Sequence, residues 1–170
     1  MKVGVEMTTK SVAHCGTLTA LAMIFGYVEA LIPFHFGIPG VKLGLPNIIT
    51  VFALYTLPVY QVFAIQVMRI VLVSFLFGNL SMMLYSLAGG LLSLAVMGLL
   101  KKKKWLSIAG VSIAGGVSHN IGQLAVAVLV VQNLKIAFYL PALLASGLVT
   151  GGLIGMLVHK VKPLLDRSKF

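Results

Sequence analysis

Three charged residues stand alone in a long apolar stretch and are the first candidates for chemistry. Between residues 11 and 100 the only formal charges are those of Glu29, Lys42 and Arg69. A charged side chain inside a membrane costs about 2.5–3.5 kcal/mol, so it normally faces a partner or a polar cavity. Glu29 and Arg69 could form a buried ion pair that orders the structure. Alternatively, Arg69 or Lys42 could bind an anionic ligand, with Lys42 at the mouth of the site.

A second group of candidates forms a polar stripe further along the chain. One helical face collects residues separated by four, three and four positions: Ser112, Gly116, His119 and Gln123. Asn120 lies beside them and completes the polar stripe. Hydrogen-bonding side chains are costly at mid-membrane depth unless they are satisfied. The stripe therefore predicts either contact with a substrate or structural hydrogen bonds between helices.

The loop before the second predicted span has a composition that could cap such a site. It reads PFHFGIPGVKLG over residues 33–44. Loops often carry binding residues; a tight turn region packed on the bundle is the alternative. We expect a site in the outer half of the bundle, with residues 34–42 as its roof and the polar stripe as its floor. Asn47 and Tyr85 are further candidates for ligand contact.

Several missing motifs argue against catalysis. Asp166 is the only aspartate, whereas a prenyl-diphosphate synthase needs clustered carboxylates to hold Mg²⁺ on a diphosphate. The sequence has no GxxxxGK[ST] phosphate loop. Only Glu29 could serve as the acid of a Ser/His/acid set, and nothing places it near His119. A single cysteine, Cys15, and scattered histidines make no four-ligand metal site. We therefore expect a protein that is not an enzyme and holds no metal or cofactor.

The composition is that of a helical protein solvated by lipid. Hydrophobic residues make up 59% of the 170 residues, charged residues make up 9%, and the mean hydropathy is +1.07. The net charge of +10 is not a signature of nucleic-acid binding, because the basic residues gather at the chain ends and in one short loop. We expect contact with membrane lipid and none with nucleic acid.

Six segments are apolar enough to predict membrane-crossing helices in a single domain, 1–170. They lie at about 12–32, 43–57, 58–77, 81–100, 107–131 and 138–161. Six spans place both termini on one side, which collects ten of the basic loop and tail residues, against Lys42 and Lys135 on the other. The positive-inside rule then predicts an all-α, multi-pass protein of a prokaryotic cytoplasmic membrane, with both termini in the cytoplasm.

Small residues recur at intervals of four on two of the predicted spans. Gly147, Gly151 and Gly155 form a ridge on the sixth span, and Gly16 and Ala20 belong to another on the first. Such ridges allow helices in lipid to approach closely. Each ridge predicts either packing within the chain or a docking face for a partner helix.

Three segments resemble a known family. They are PGVKLGLPNIITVFALY (39–55), YSLAGGLLSLAVMGLL (85–100) and GVSIAGGVSHNIGQLAVA (110–127). The chain resembles the heptaprenyl diphosphate synthase component I family, also labelled Gx transporter, over nearly its whole length. That family is in turn similar to the substrate-binding S-components of energy-coupling factor (ECF) transporters.

The resemblance implies a fold, a partner and a function. ECF S-components have six spans, cytoplasmic termini, an outward-facing site capped by the first outer loop, and a small-xxx-small docking motif on span one. Gly16 and Ala20 occupy the matching positions here. The leading hypothesis is therefore a substrate-binding subunit that works with a coupling transmembrane subunit and two ATPases. The alternative is a non-catalytic membrane subunit of isoprenoid or quinone biosynthesis that partners a prenyl-diphosphate synthase. An autonomous secondary transporter is a third option, but the sequence shows no inverted repeat.

Overall fold

The computed structural model describes residues 8–31 and 44–167, which form a bundle of α-helices. The helices are α1 (Thr9–Leu31), α2 (Leu45–Thr56), α3 (Val59–Phe77), α4 (Leu80–Lys103), α5 (Ile108–Val131) and α6 (Leu140–Arg167), with a 3-10 segment at Leu134–Tyr139 before α6. The part of the chain so described contains no strand. The predicted all-α class is confirmed.

Five of the helices, all but α2, are long and apolar enough to cross a membrane. α2 has 12 residues, so at about 1.5 Å per residue it is only about 18 Å long. The hydrocarbon core of a bilayer is about 30 Å thick. The segment predicted at 43–57 is already short for a membrane span, and in the structure the helix covers Leu45–Thr56. Its limits are Gly44, which takes a left-handed conformation with φ 72°, and Pro58, which starts the next helix.

The helices contact one another in a closed ring. The contacts run from α1 through α2, α6, α5, α4 and α3 back to α1, and α2 also touches α3. The most extensive of these interfaces are α5 with α6 and α4 with α5. The short helix α2 therefore lies between both halves of the bundle, where side chains from several helices can reach its ends.

Polar side chains are buried and large apolar ones are exposed, which is the reverse of a water-soluble domain. Phe75 and Phe138 are 87% and 86% exposed, while Gln66 is 1% exposed. The buried polar set consists of Thr50, Gln61, Gln66, Arg69, Ser74, Ser93, Ser112 and Ser118. An apolar exterior fits lipid, and the interior then has to satisfy its polar groups internally. Five long apolar helices and this distribution are those of a multi-pass membrane protein.

Candidate functional site

The glycine ridge of α6 packs directly on the backbone of α5. A Cβ placed on Gly151 would lie 2.7 Å from the Ser112 carbonyl oxygen, and one on Gly147 would lie 2.9 Å from that of Gly116. A Cβ placed on Gly155 would lie 2.5 Å from the Cα of Ala109. Contacts this short exclude any side chain, so the ridge predicted on span six is an intramolecular packing surface.

One side of α1 is fixed to α3 by hydrogen bonds around Gln61. Its Nε2 donates to Ser11 Oγ at 2.6 Å and to the Tyr60 hydroxyl at 3.1 Å, and the Cys15 Sγ donates to its Oε1 at 3.7 Å. Gln61 is 5% exposed. Because Ser11 and Cys15 lie one turn apart, these contacts fix which face of α1 turns inward.

The other side of α1 carries the predicted docking residues and is open. Gly16 and Ala20 are both exposed, and a Cβ added to Gly16 would meet no atom within 4 Å. In the most apolar stretch of α1, 11% of the residues are buried, against 22–39% in the other four long helices. We define the open face as Ala13, Gly16, Thr17 and Ala20, all of them exposed.

Two charged side chains from other helices hold the ends of α2. At its N-terminus the Gly44 N–H donates to Glu29 Oε1 at 2.5 Å. Towards its C-terminus Lys101 Nζ donates to the Leu54 carbonyl oxygen at 2.5 Å and lies 5.4 Å from the centre of the Tyr55 ring. An acid at the N-terminus and a base at the C-terminus both oppose the helix dipole favourably. Glu29, predicted as a site residue, therefore has a clear positioning role.

Arg69 lies inside the bundle and contacts a neutral side chain. Its Nη2 donates to Gln66 Oε1 at 3.0 Å, and the same oxygen accepts the hydroxyl of Thr50 at 2.7 Å. Glu29 also interacts electrostatically with Arg69. Arg69, Gln66 and Thr50 thus link α3 to the short helix α2.

The adjacent glycines of α4 connect this cluster to the polar stripe of α5. A Cβ on Gly90 would lie 2.6 Å from Gln66 Nε2. A Cβ on Gly89 would lie 2.6 Å from the His119 carbonyl oxygen and 2.7 Å from Gln123 Cγ. Because neither glycine has a side chain, Gln66 on one side of α4 and His119 and Gln123 on the other come to the same level of the helix. We call Gln66, His119 and Gln123 the polar layer.

Asn120 bonds to α6 rather than pointing into the polar layer. Its Nδ2 donates to the Leu143 carbonyl oxygen at 2.6 Å. This is the structural alternative for one member of the predicted stripe, a side chain that joins two helices. Ser118, beside it, donates to the carbonyl oxygens of Ala114 and Gly115 in its own helix.

A small polar cavity lies where four helices meet. Its volume is about 20 Å³, which is room for about one water molecule. The polar groups on its wall come from Asn47, Ser93, Ser112 and Thr150. Asn47, predicted as a site residue, thus faces α5 and α6 rather than Arg69. The size suits water and not a substrate.

Two further candidates, Tyr85 and Lys42, were predicted for the site. Tyr85 is half-buried on α4, one turn before Gly89, and within the described part of the chain it makes no hydrogen bond. Lys42 and the predicted roof at 34–42 lie outside the described residues. As for metal ligands, no group of three or more His, Cys, Asp or Glu side chains forms in the ranges the structure covers.

Sequence reasoning missed three of the polar side chains that matter. Gln61, Gln66 and Thr50 are all buried and hold α1, α2 and α3 together, but an uncharged residue in an apolar span gives a weaker signal than the charge of Arg69. A usable signal was present: Gln66 lies three residues before Arg69, so both share one helical face. Lys101 is the one lysine among residues 101–104 that is not exposed.

The chain matches one family model over most of its length. The family is described as heptaprenyl diphosphate synthase component I, and the match covers residues 18–161. No curated protein and no solved structure matches the chain. The matched region includes both ends of α2, the polar layer and the α5–α6 ridge, though not Gly16. The chain belongs to the heptaprenyl diphosphate synthase component I family.

Proposed function

We propose that this protein is the membrane-embedded substrate-binding subunit of an ECF-type importer. It captures a small molecule from outside and docks on a coupling membrane subunit that works with two ATPases. The observation that carries the proposal is the open face of α1. Every other long helix is more deeply packed, while α1 presents small side chains to the exterior. Small residues on a lipid-facing helix favour close approach of another helix.

The polar layer supports a binding role in the same molecule. His119 and Gln123 are half-buried on α5, and the glycines of α4 leave their side chains next to Gln66. Ligand sites usually combine an apolar wall with a few fixed polar groups. This layer has that composition, because it is enclosed by apolar helices.

The orientation belongs to the proposal as well. The exposed Lys102, Lys103 and Lys104 at the end of α4 would face the cytoplasm of a prokaryotic cell, together with both termini. Single cysteines replacing Lys102 and Lys135, in a Cys15→Ser background, test it. An impermeant thiol reagent applied to intact cells should label position 135 and not position 102. The reverse pattern would overturn the orientation.

A second function is favoured by the family description, which names a component of heptaprenyl diphosphate synthase. In this alternative the protein is a non-catalytic membrane subunit that holds a soluble prenyl-diphosphate synthase or its lipid product. The single aspartate, Asp166, argues against a catalytic share for this chain, since Mg²⁺–diphosphate chemistry needs several carboxylates.

Co-purification separates the two functions. The tagged protein, extracted in mild detergent from its own membrane, should bring down two ATPases and a membrane coupling subunit. A soluble prenyl-diphosphate synthase in place of the ATPases would establish the second function instead. The isolated chain should neither hydrolyse ATP nor elongate a prenyl chain with Mg²⁺, and either activity would contradict both proposals.

A further inference from the structure

Arg69 is the only charged side chain that is buried in the part of the chain described. It is 8% exposed and lies in the middle of α3, near the buried apolar side chains of Ile65 and Ile70. A cation at such a place requires compensation by acceptors or by an opposite charge. The compensation available within the described residues is small.

The hydrogen bonds of Arg69 leave most of its donors unused. A guanidinium carries several N–H donors in a planar fork. Here Nη2 donates to Gln66 Oε1 at 3.0 Å, and that oxygen is shared with the hydroxyl of Thr50. The Nε atom is buried and has no partner among the described residues. A buried donor without an acceptor is destabilising, so the hydrogen bonding of the guanidinium is incomplete among the described residues.

Glu29 does not supply the hydrogen-bond acceptors that Arg69 lacks. Its carboxylate interacts electrostatically with Arg69, but it already accepts the Gly44 N–H at the start of α2, and it supplies no partner for Nε. Glu29 therefore balances part of the charge at a distance. The directional acceptors that a guanidinium fork requires are still missing.

We propose that Arg69 binds an acidic group of the substrate, a carboxylate or a phosphate, which accepts from the unused N–H donors of the guanidinium. Both groups match the planar fork with two parallel hydrogen bonds. This inference rests on the proposed function and defines the substrate class as a small organic anion.

Gln66→Glu tests the proposal by giving Arg69 its own carboxylate. The variant keeps the oxygen that accepts from Arg69 and Thr50, and no hydrogen bond of Nε2 to a described residue is lost. We expect the melting temperature of the purified protein to rise by several degrees. If Glu29 already satisfied Arg69, a second buried carboxylate would be unpaired, and a lower melting temperature would overturn the proposal.

A titration with anions is the second test of the proposed site at Arg69. Melting temperatures are measured with sodium acetate and sodium phosphate, against sodium chloride at equal ionic strength. We expect saturable stabilisation of the wild type by one of the two, which also distinguishes carboxylate from phosphate. The apparent Kd should rise at least tenfold in Arg69→Gln, and the stabilisation should vanish in Gln66→Glu. If Arg69→Gln does not fold, Gln66→Glu alone decides.

No stabilisation of the wild type, or an unchanged response in either variant, would refute the anion site. Co-purification of ATPases with the wild-type protein tests the proposed function independently of the anion site. If the ATPases are present and the anion response is absent, the proposed function stands and this inference fails. If the anion response is present and no ATPases co-purify, the anion site at Arg69 stands and the proposed importer function fails.

Discussion

The ridges on α6 and on α1 have the same spacing of small residues but different surroundings. On α6, Gly147 and Gly151 touch the backbone of α5 at distances that exclude any side chain. On α1, Gly16 meets nothing within 4 Å, and Ala20 is exposed. The comparison teaches that a small-xxx-small pattern marks where helices can approach closely. Whether the partner belongs to the same chain depends on which faces the fold has already used.

The first prediction concerns a large side chain placed on the glycine ridge of α6. Gly151→Leu should destabilise the fold by at least about 3 kcal/mol, because a large side chain would be forced into the backbone of α5. Loss of the monodisperse peak in size-exclusion chromatography and of the cooperative thermal transition are the measurements. Gly152→Leu is the matched control, since a Cβ there has 3.8 Å to the nearest atoms. A stable Gly151→Leu protein would show that the helices do not pack as described.

The second prediction concerns the short helix between the two ridges. Lys101→Met removes the cation that binds the Leu54 carbonyl oxygen and should cost about 1–2 kcal/mol. The free energy of unfolding in a mild denaturing detergent series measures it. Lys102→Met removes an exposed lysine of the same cluster and should change stability by less than about 0.5 kcal/mol. Equal effects of the two substitutions would mean that Lys101 acts only as part of a basic patch.

The third prediction tests the polar contact beside the α6 ridge. Asn120→Leu removes the hydrogen bond to the Leu143 carbonyl oxygen and should cost about 0.6 kcal/mol, the average for such bonds between membrane helices. The same unfolding series detects it. If Asn120→Leu instead abolished binding of the substrate while leaving stability intact, Asn120 would belong to the ligand site.

Much of the fold was predictable because membrane-spanning helices are recognisable from their long apolar segments. The ends of α3 and α5 lie within one or two residues of the predicted 58–77 and 107–131. α2 is recognisably short from the sequence, but its first residue was harder to predict because the left-handed conformation of Gly44 sets it. Gly89 and Gly90 allow α4 to approach α5 and α3 closely.

The candidate site was less predictable, because spacing within a helix says nothing about its neighbours. The stripe on α5 divides in the structure: His119 and Gln123 adjoin Gly89, whereas Asn120 bonds to α6. Asn47 lines a small cavity with residues of α4, α5 and α6, and Arg69 is not part of its lining. The sequence could not show that Gln66 shares its oxygen between Arg69 and Thr50, since that contact joins residues on two helices.

The central claim, that the open face of α1 is a docking surface, is tested most directly by Ala20→Leu. The matched control is Ala145→Leu, which adds the same bulk at an exposed position of α6. Each variant is purified for its melting temperature and is used to recover the ATPase-containing complex from membranes. We predict wild-type melting temperatures for both, with the complex lost only in Ala20→Leu. An intact complex in Ala20→Leu, or its equal loss in Ala145→Leu, would contradict the claim.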